Sequence, residues 1–184
     1  MVVIGDEILS GRTNDTNSNF LATKLSQWGI NLCEVRVISD EKKQIVLAIN
    51  ELRVKYDYVF TSGGIGPTHD DITADSVAAA FGVDISIRED AKRLLEQNYK
   101  KGCHDLNESR LRMARIPDGA RLIENKISKA PGFSLGNVHV MAGVPKIFET
   151  MLEWLLPTLS HGRPLCTITV RCERPEGEIA ADLA

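Results

Sequence analysis

Apolar positions along the chain alternate between two periods. Met1 to Ile4 is an apolar run of strand length, and Phe20, Leu21, Leu25 and Trp28 then recur at helical spacing as far as Gly29, with Asn14 to Ser18 supplying capping residues. Ile30, Leu32, Val35 and Val37 mark a second strand over Ile30 to Ile38. Asp40 opens a helix whose Ile45, Ala48, Ile49 and Leu52 face inward, and Tyr58, Val59 and Phe60 form a third strand. Val77, Ala80 and Phe81 share one face of the next helix, which Gly82 ends. Strands alternating with helices predict a parallel sheet with right-handed crossovers, whose ligands bind beyond the carboxyl ends of the strands.

Beyond Gly82 the pattern is weaker. Val83, Ile85 and Ile87 alternate as a short strand. Arg88 to Gly102 reads as an amphipathic helix with Ala91, Leu94 and Leu95 inward and Tyr99 a candidate for the same face, and Asp105 to Arg115 as another, ended by Pro117-Asp-Gly119. Phe133 to Ala142 reads as a hairpin turning at Gly136-Asn137. Gly143-Val-Pro145 is a tight loop before a helix with Ile147, Phe148, Met151, Leu152 and Leu155 on one face. This loop either frames the crevice or simply joins strand to helix. Cys166 to Cys172 alternates like a strand, and Pro175 to Ala184 begins a helix with Ile179 and Leu183 on one side. Residues 1–161 are therefore expected to form one α/β domain, and 162–184 the start of a small C-terminal α/β element. That start is incomplete or is completed by another chain, so Ile168, Val170 and the Ile179/Leu183 face predict a homo-oligomer.

The chemistry concentrates between Ser62 and Asp71. Gly63, Gly64 and Gly66 remove three side chains where the backbone turns after a strand, and Pro67 stiffens the exit. Such turns leave N–H groups facing a crevice at the positive end of a helix, which favours an anion. Asp70 and Asp71 lie where the anion would sit, and two carboxylates repel a phosphate unless a divalent cation lies between them. Capping of the following helix by Asp71 or Thr73 is the alternative. Gly5-Asp6-Glu7 follows the first strand and lies on the same rim, so Asp6, Glu7, Asp70 and Asp71 are expected to converge there.

Composition narrows the class. The chain has 184 residues, 43% hydrophobic and 26% charged, enough for one domain with a small appendage. A net charge of -3 and only two Trp, three Tyr and five Phe argue against nucleic acid as a partner. No stretch of about 20 apolar residues predicts a membrane span, and no signal peptide is evident. Cys33, Cys103, Cys166 and Cys172 include no Cys-x-x-Cys pair, and Cys166 and Cys172 would lie about 20 Å apart on one strand, so reduced thiols in a cytoplasmic protein are expected.

Ile4-Gly-Asp-Glu-Ile-Leu-Ser-Gly11, Asp15-Thr-Asn17, Ser62-Gly-Gly-Ile-Gly-Pro-Thr-His-Asp-Asp-Ile-Thr73, Ala130-Pro-Gly-Phe133 and Gly143-Val-Pro145 occur in this order. Together they resemble the successive motifs of the molybdopterin-binding (MoaB/Mog-like) fold in its competence/damage-inducible CinA branch. Met141-Ala142 stands where relatives commonly have Leu-Pro, and Lys146-Ile147-Phe148 where a pattern containing Glu is commoner. The resemblance implies a three-layer α/β/α fold and hydrolysis of the diphosphate of ADP-ribose or a related nucleotide with a divalent metal, expected to be Mg²⁺. On that reading Asp71, with Asp70 or with Asp6 and Glu7, holds the metal. Gly63, Gly64 and Gly66 cradle a phosphate, and Ser62 and Thr68 add hydroxyl donors. Asn17 and Asn107 match family positions and are expected at the ligand, while His69 reads as a loop bystander. The alternatives are a pterin-binding or adenylyl-transferring role in molybdenum cofactor synthesis and a non-catalytic nucleotide-binding domain.

Overall fold

Eight strands and eight α-helices make up the computed structural model over the residues it describes, 1–99, 106–164, 171 and 173–181. The strands are β1 (Val2–Ile4), β2 (Arg36–Ile38), β3 (Val59–Ser62), β4 (Ile85–Ile87), β5 (Arg115–Pro117), β6 (Arg121–Ile123), β7 (Gly132–Leu135) and β8 (Val138–Met141). The helices are α1 (Asp6–Leu9), α2 (Asn17–Gln27), α3 (Lys42–Lys55), α4 (Thr73–Phe81), α5 (Glu89–Tyr99), α6 (Glu108–Leu111), α7 (Pro145–Leu155) and α8 (Glu176–Ile179).

Six strands form one sheet in the order β2-β1-β3-β8-β7-β6. The first four are mutually parallel, with Val2 opposite Arg36 and Thr61, and Thr61 opposite Val140. β7 and β6 then continue the sheet antiparallel. β4 and β5 pair separately as an antiparallel ribbon.

Burial on both faces follows from the apolar runs. Val2, Ile4, Val59, Val138 and Val140 pack with Ile45, Ile49 and Leu52 of α3 and Val77 of α4. Val3, Phe60 and Met141 pack with Leu21 and Leu25 of α2 and with Phe148, Met151 and Leu152 of α7. Successive residues of a strand thus enter opposite cores, and burying each of these side chains stabilises the fold by about 1.5–3 kcal/mol. The outcome is helix, sheet, helix in three layers, with β1, β3 and β8 central and their carboxyl ends on one rim.

The structure corrects four sequence expectations. The second strand is confined to Arg36–Ile38 because only those residues pair with β1, so 30–35 runs outside the sheet. The helix expected from Asp105 to Arg115 is the single turn α6, a 3-10 turn over Arg112–Ala114, and then β5, which the pairing of Ile116 with Ser86 draws into a strand. Thr73 and Asp71 do not cap α4: Ile72 is the N-cap and no side chain bonds there. Asp40 does not start α3, whose N-cap is Glu41. The Gly136-Asn137 hairpin and the helices at 17–27, 73–81 and 145–155 are as expected. Cys103, Cys166, Cys172, Ile168, Val170 and Leu183 lie outside the described residues. Among the described residues no helix is long and apolar enough to cross a membrane.

Candidate functional site

The carboxyl ends of β1, β3 and β8 open onto a cleft of about 600 Å³. One wall is the loop after β3 (Gly63, Gly64, Ile65, Gly66, Pro67, Asp71), and the facing wall is the loop after β8 with the first turn of α7 (Gly143, Val144, Pro145, Ile147). Glu7 and Thr13 close one end, and Met113, Ser128 and Ala130 the other. Gly143-Val-Pro145 therefore frames the crevice as well as joining strand to helix.

Two of the three glycines of the β3 loop, Gly63 and Gly64, are required by the protein's own packing, and Gly66 stands close to the Asp71 carboxylate. A Cβ on Gly63 would stand 2.2 Å from the Ile4 carbonyl oxygen, one on Gly64 2.1 Å from Thr73 Oγ1, and one on Gly66 2.6 Å from Asp71 Oδ2. Gly63 and Gly64 also have φ of 105° and 68°, in the region that favours glycine. Gly63 donates its N–H to Met141 O at 3.2 Å, which removes that donor from the proposed cradle. The N–H groups of Gly64, Ile65 and Gly66 have no partner among the described residues. Gly64, Ile65 and Gly66 line the same cleft as the start of α7, where Pro145 has no N–H and Ile147 N donates to Val144 O at 3.0 Å, so the helix contributes the positive end of its dipole rather than a set of free donors.

Asp71 shapes the loop. Its Oδ2 accepts hydrogen bonds from Thr68 N at 2.8 Å and Thr68 Oγ1 at 2.6 Å, closing the turn from Thr68 to Asp71. The Thr68 hydroxyl is thereby committed to Asp71, and Thr68 is not part of the cleft lining. Asp70 is exposed and outside the lining. His69 is almost fully exposed, 3.9 Å from Asp70 Oδ1.

The acids of β1 and β2 meet on the same rim. Asp6 donates its backbone N–H to Asp40 Oδ2 at 3.0 Å. Burial raises the Asp40 carboxyl above its usual range, the Asp6 N–H opposes that, and the charges of Glu7, Asp6 and Asp70 raise it further. Asp40 is the member of this group that sequence reasoning missed, although its place just after β2 was a usable signal. The expected four-carboxylate set is corrected accordingly. Glu7 and Asp71 line the cleft, whereas Asp6 and Asp70 do not, and among the described residues no three His, Cys, Asp or Glu side chains are grouped to hold a metal by themselves.

Asn17 and Ser62 lock the rim from beneath. Both are buried. Asn17 Nδ2 donates to Ser62 Oγ and to Gly143 O, each at 2.8 Å, tying α2 to the ends of β3 and β8. Asn17 Oδ1 is buried without a partner. The Ser62 hydroxyl is therefore a structural acceptor, and Asn17 sits in a side chamber of about 50 Å³ beside the cleft. Asn107 lies elsewhere, as the N-cap of α6 with its Oδ1 accepting from Arg110 N at 3.0 Å. Its role here is that of a cap. Met113, Ser128 and Ala130 were not anticipated; only the neighbouring Ala130-Pro-Gly-Phe133 motif pointed to this wall.

Comparison with known proteins places this geometry. Residues 1–161 match the family model described as a probable molybdopterin binding domain. A CinA-like protein of Anaeromyxobacter sp. is 35% identical over 161 residues, covering 85% of this chain and 39% of that protein. A Metallosphaera sedula protein is 36% identical over 89% of this chain and 64% of its own length. The chain thus spans less than two thirds of either relative. Among solved structures, CinA of unknown function from Thermoplasma acidophilum has 35% identity and a TM-score of 0.78, covering 85% of this chain and 95% of that one. The molybdopterin biosynthesis Mog protein of Mycobacterium ulcerans, at 19% identity and a TM-score of 0.55 over 85% of this chain and 90% of that one, shares the fold.

Proposed function

Because the chain belongs to the molybdopterin-binding domain family, and to its CinA-like branch, we propose that the cleft binds a nucleotide diphosphate of the ADP-ribose type with Mg²⁺ and hydrolyses its diphosphate. The observation that carries this reading is the meeting of opposite demands in one cleft. Unpaired N–H groups of Gly64, Ile65 and Gly66 and the start of α7 favour an anion, while the carboxylates of Glu7 and Asp71 on the same lining disfavour it unless a cation intervenes.

The donor set suits Mg²⁺ shared with a ligand. This ion keeps several waters and is bound through one or two carboxylates plus substrate phosphates, so Glu7 and Asp71 suffice where an all-protein cage would need more. When bound, the cation would neutralise charge on the phosphate oxygens and polarise the phosphorus. The chain's own part is to fix geometry: the β3 loop presents its N–H groups to one phosphate, Thr68 holds Asp71 in place, and Asn17 holds the Gly143 loop at the facing wall. Asp6, Asp70 and Asp40 add negative charge at the rim, which attracts cations without entering the lining.

The apolar part of the lining favours a second reading. Ile65, Met113, Val144, Ile147 and Met151 offer a surface for a flat ring, so a pterin-bearing ligand with adenylyl transfer is the rival. Product analysis divides the two. A screen of diphosphate nucleotides with and without Mg²⁺ is expected to give metal-dependent AMP release; an adenylylated pterin would favour the rival. Asp71→Asn keeps an oxygen for the Thr68 donors but loses the charge, and Glu7→Gln loses the charge alone. Each is expected to cost about 100-fold or more in rate with an unchanged melting curve. Turnover within about threefold of wild type in both would refute the metal assignment.

A further inference from the structure

Behind the wall formed by Ile65, Gly66 and Asp71 lies a second, much smaller cavity of about 20 Å³. Four charged side chains line it: Asp71, Asp75, Arg112 and Arg115. Two of them neutralise each other, because Arg115 grips Asp75 through both terminal nitrogens, Nη1 to Oδ2 at 2.8 Å and Nη2 to Oδ1 at 2.6 Å. Asp71 is occupied by Thr68. Arg112 is left, and its Nε is buried with no hydrogen-bond partner.

A buried donor on a cation is the costliest kind of polar group to leave unmatched, since it loses water and gains nothing in return. Three of the lining residues, Ile65, Gly66 and Asp71, also line the large cleft, and Met113, adjacent to Arg112 in sequence, lines both cavities. The 3-10 turn over Arg112–Ala114 therefore sets a guanidinium whose Nε has no partner immediately behind the loop whose Gly64, Ile65 and Gly66 N–H groups have none among the described residues.

We propose that Arg112 is a positioning residue for this cleft: from behind the Gly64–Gly66 loop its positive charge favours a diphosphate group held on the other side of that loop. The inference rests on the diphosphate reading of the cleft but assigns a residue that neither the glycine loop nor the carboxylates specify. It predicts that a bare diphosphate suffices for binding, with no nucleoside attached.

Isothermal titration with inorganic pyrophosphate and Mg²⁺ tests it separately from turnover. Wild type is expected to bind, and Arg112→Gln about tenfold more weakly with its melting temperature preserved. Should Arg112→Gln fail to fold, Arg112→Met keeps an unbranched stem without the charge and is likewise expected to bind about tenfold more weakly. Affinity equal to wild type in the folded variant overturns the assignment, as it would if a single water filled the small cavity and satisfied Nε. Absence of pyrophosphate binding by wild type overturns it as well. Pyrophosphate binding that depends on Arg112, without AMP release from any nucleotide, would uphold this inference while refuting the hydrolase reading.

Discussion

His139 is expected to make the fold sensitive to mild acid. It lies in β8 with 4% of its surface exposed, its Nδ1 2.8 Å from Ser134 Oγ and its Nε2 without a partner. The rings of Phe60 and Tyr58 stand 5.3 and 5.8 Å away. Burial pushes its pKa down from 6.5 to about 4, and the charge of Arg121 lowers it further in the same sense. The folded state thus holds the imidazole neutral while the unfolded chain takes up a proton below pH 6.5. Stability from this group is fully present above that pH, falls as pH drops from 6.5 toward about 4, and levels off below. At about 1.4 kcal/mol per unit the whole effect is about 3 kcal/mol, of which about 2 kcal/mol is lost between pH about 7 and about 4.5. Urea unfolding of wild type and His139→Gln at those two pH values isolates the term, because the variant's own constant cost and the titration of shared carboxylates cancel. Wild type should lose about 2 kcal/mol more than the variant. Parallel losses in the two proteins would refute the neutral, buried histidine.

Two further predictions concern the rim. Gly64→Ala places a methyl carbon 2.1 Å from Thr73 Oγ1 at a φ of 68°, so it should destabilise the fold by about 2 kcal/mol or more in a denaturant melt, with or without ligand; a stability change below about 0.5 kcal/mol would contradict the packing. Asn17→Leu removes the donor that serves Ser62 Oγ and Gly143 O and should cost about 2–3 kcal/mol by the same assay. A near-neutral result would mean that the Gly143 loop is held by α7 alone.

The parts of the fold legible in the sequence are those whose neighbours are close in the chain or wholly apolar. β1 and β3 read as strands because both faces are buried, and the β7-β8 hairpin because Gly136 takes the positive φ its turn needs. The stretch 30–35 misleads because Ile30 and Leu32 alternate like a strand without a strand partner beside them. β5 is hidden for the opposite reason. Its strand character comes from Ile85 and Ile87, about thirty residues away, and local helical spacing at 105–115 outweighs it. At the site, the glycines and Asp71 were visible as a motif, and Glu7 as an acid after a strand. Met113, Ser128 and Arg112 were not, because each reaches the cleft or its back wall through contacts between elements distant in the chain, while Asp40 joins only the rim, through the Asp6 N–H.

The glycine loop separates what the fold demands from what the ligand demands. Ile4 O and Thr73 Oγ1, with positive φ at both positions, already forbid a side chain at Gly63 and Gly64, so those two glycines would be needed even if no ligand ever entered. The consequence is a turn set by packing, whose Gly64, Ile65 and Gly66 line the cleft and have N–H groups without a partner among the described residues. Any protein with this turn therefore offers a modest anion site, and chemistry depends on which charges surround it. On the proposed reading, Glu7 and Asp71 select for a cation beside the anion, and Arg112 adds a fixed positive charge behind it. Proteins that share the three glycines but differ at Glu7, Asp71 or Arg112 should keep the architecture and change the charge of the ligand they accept.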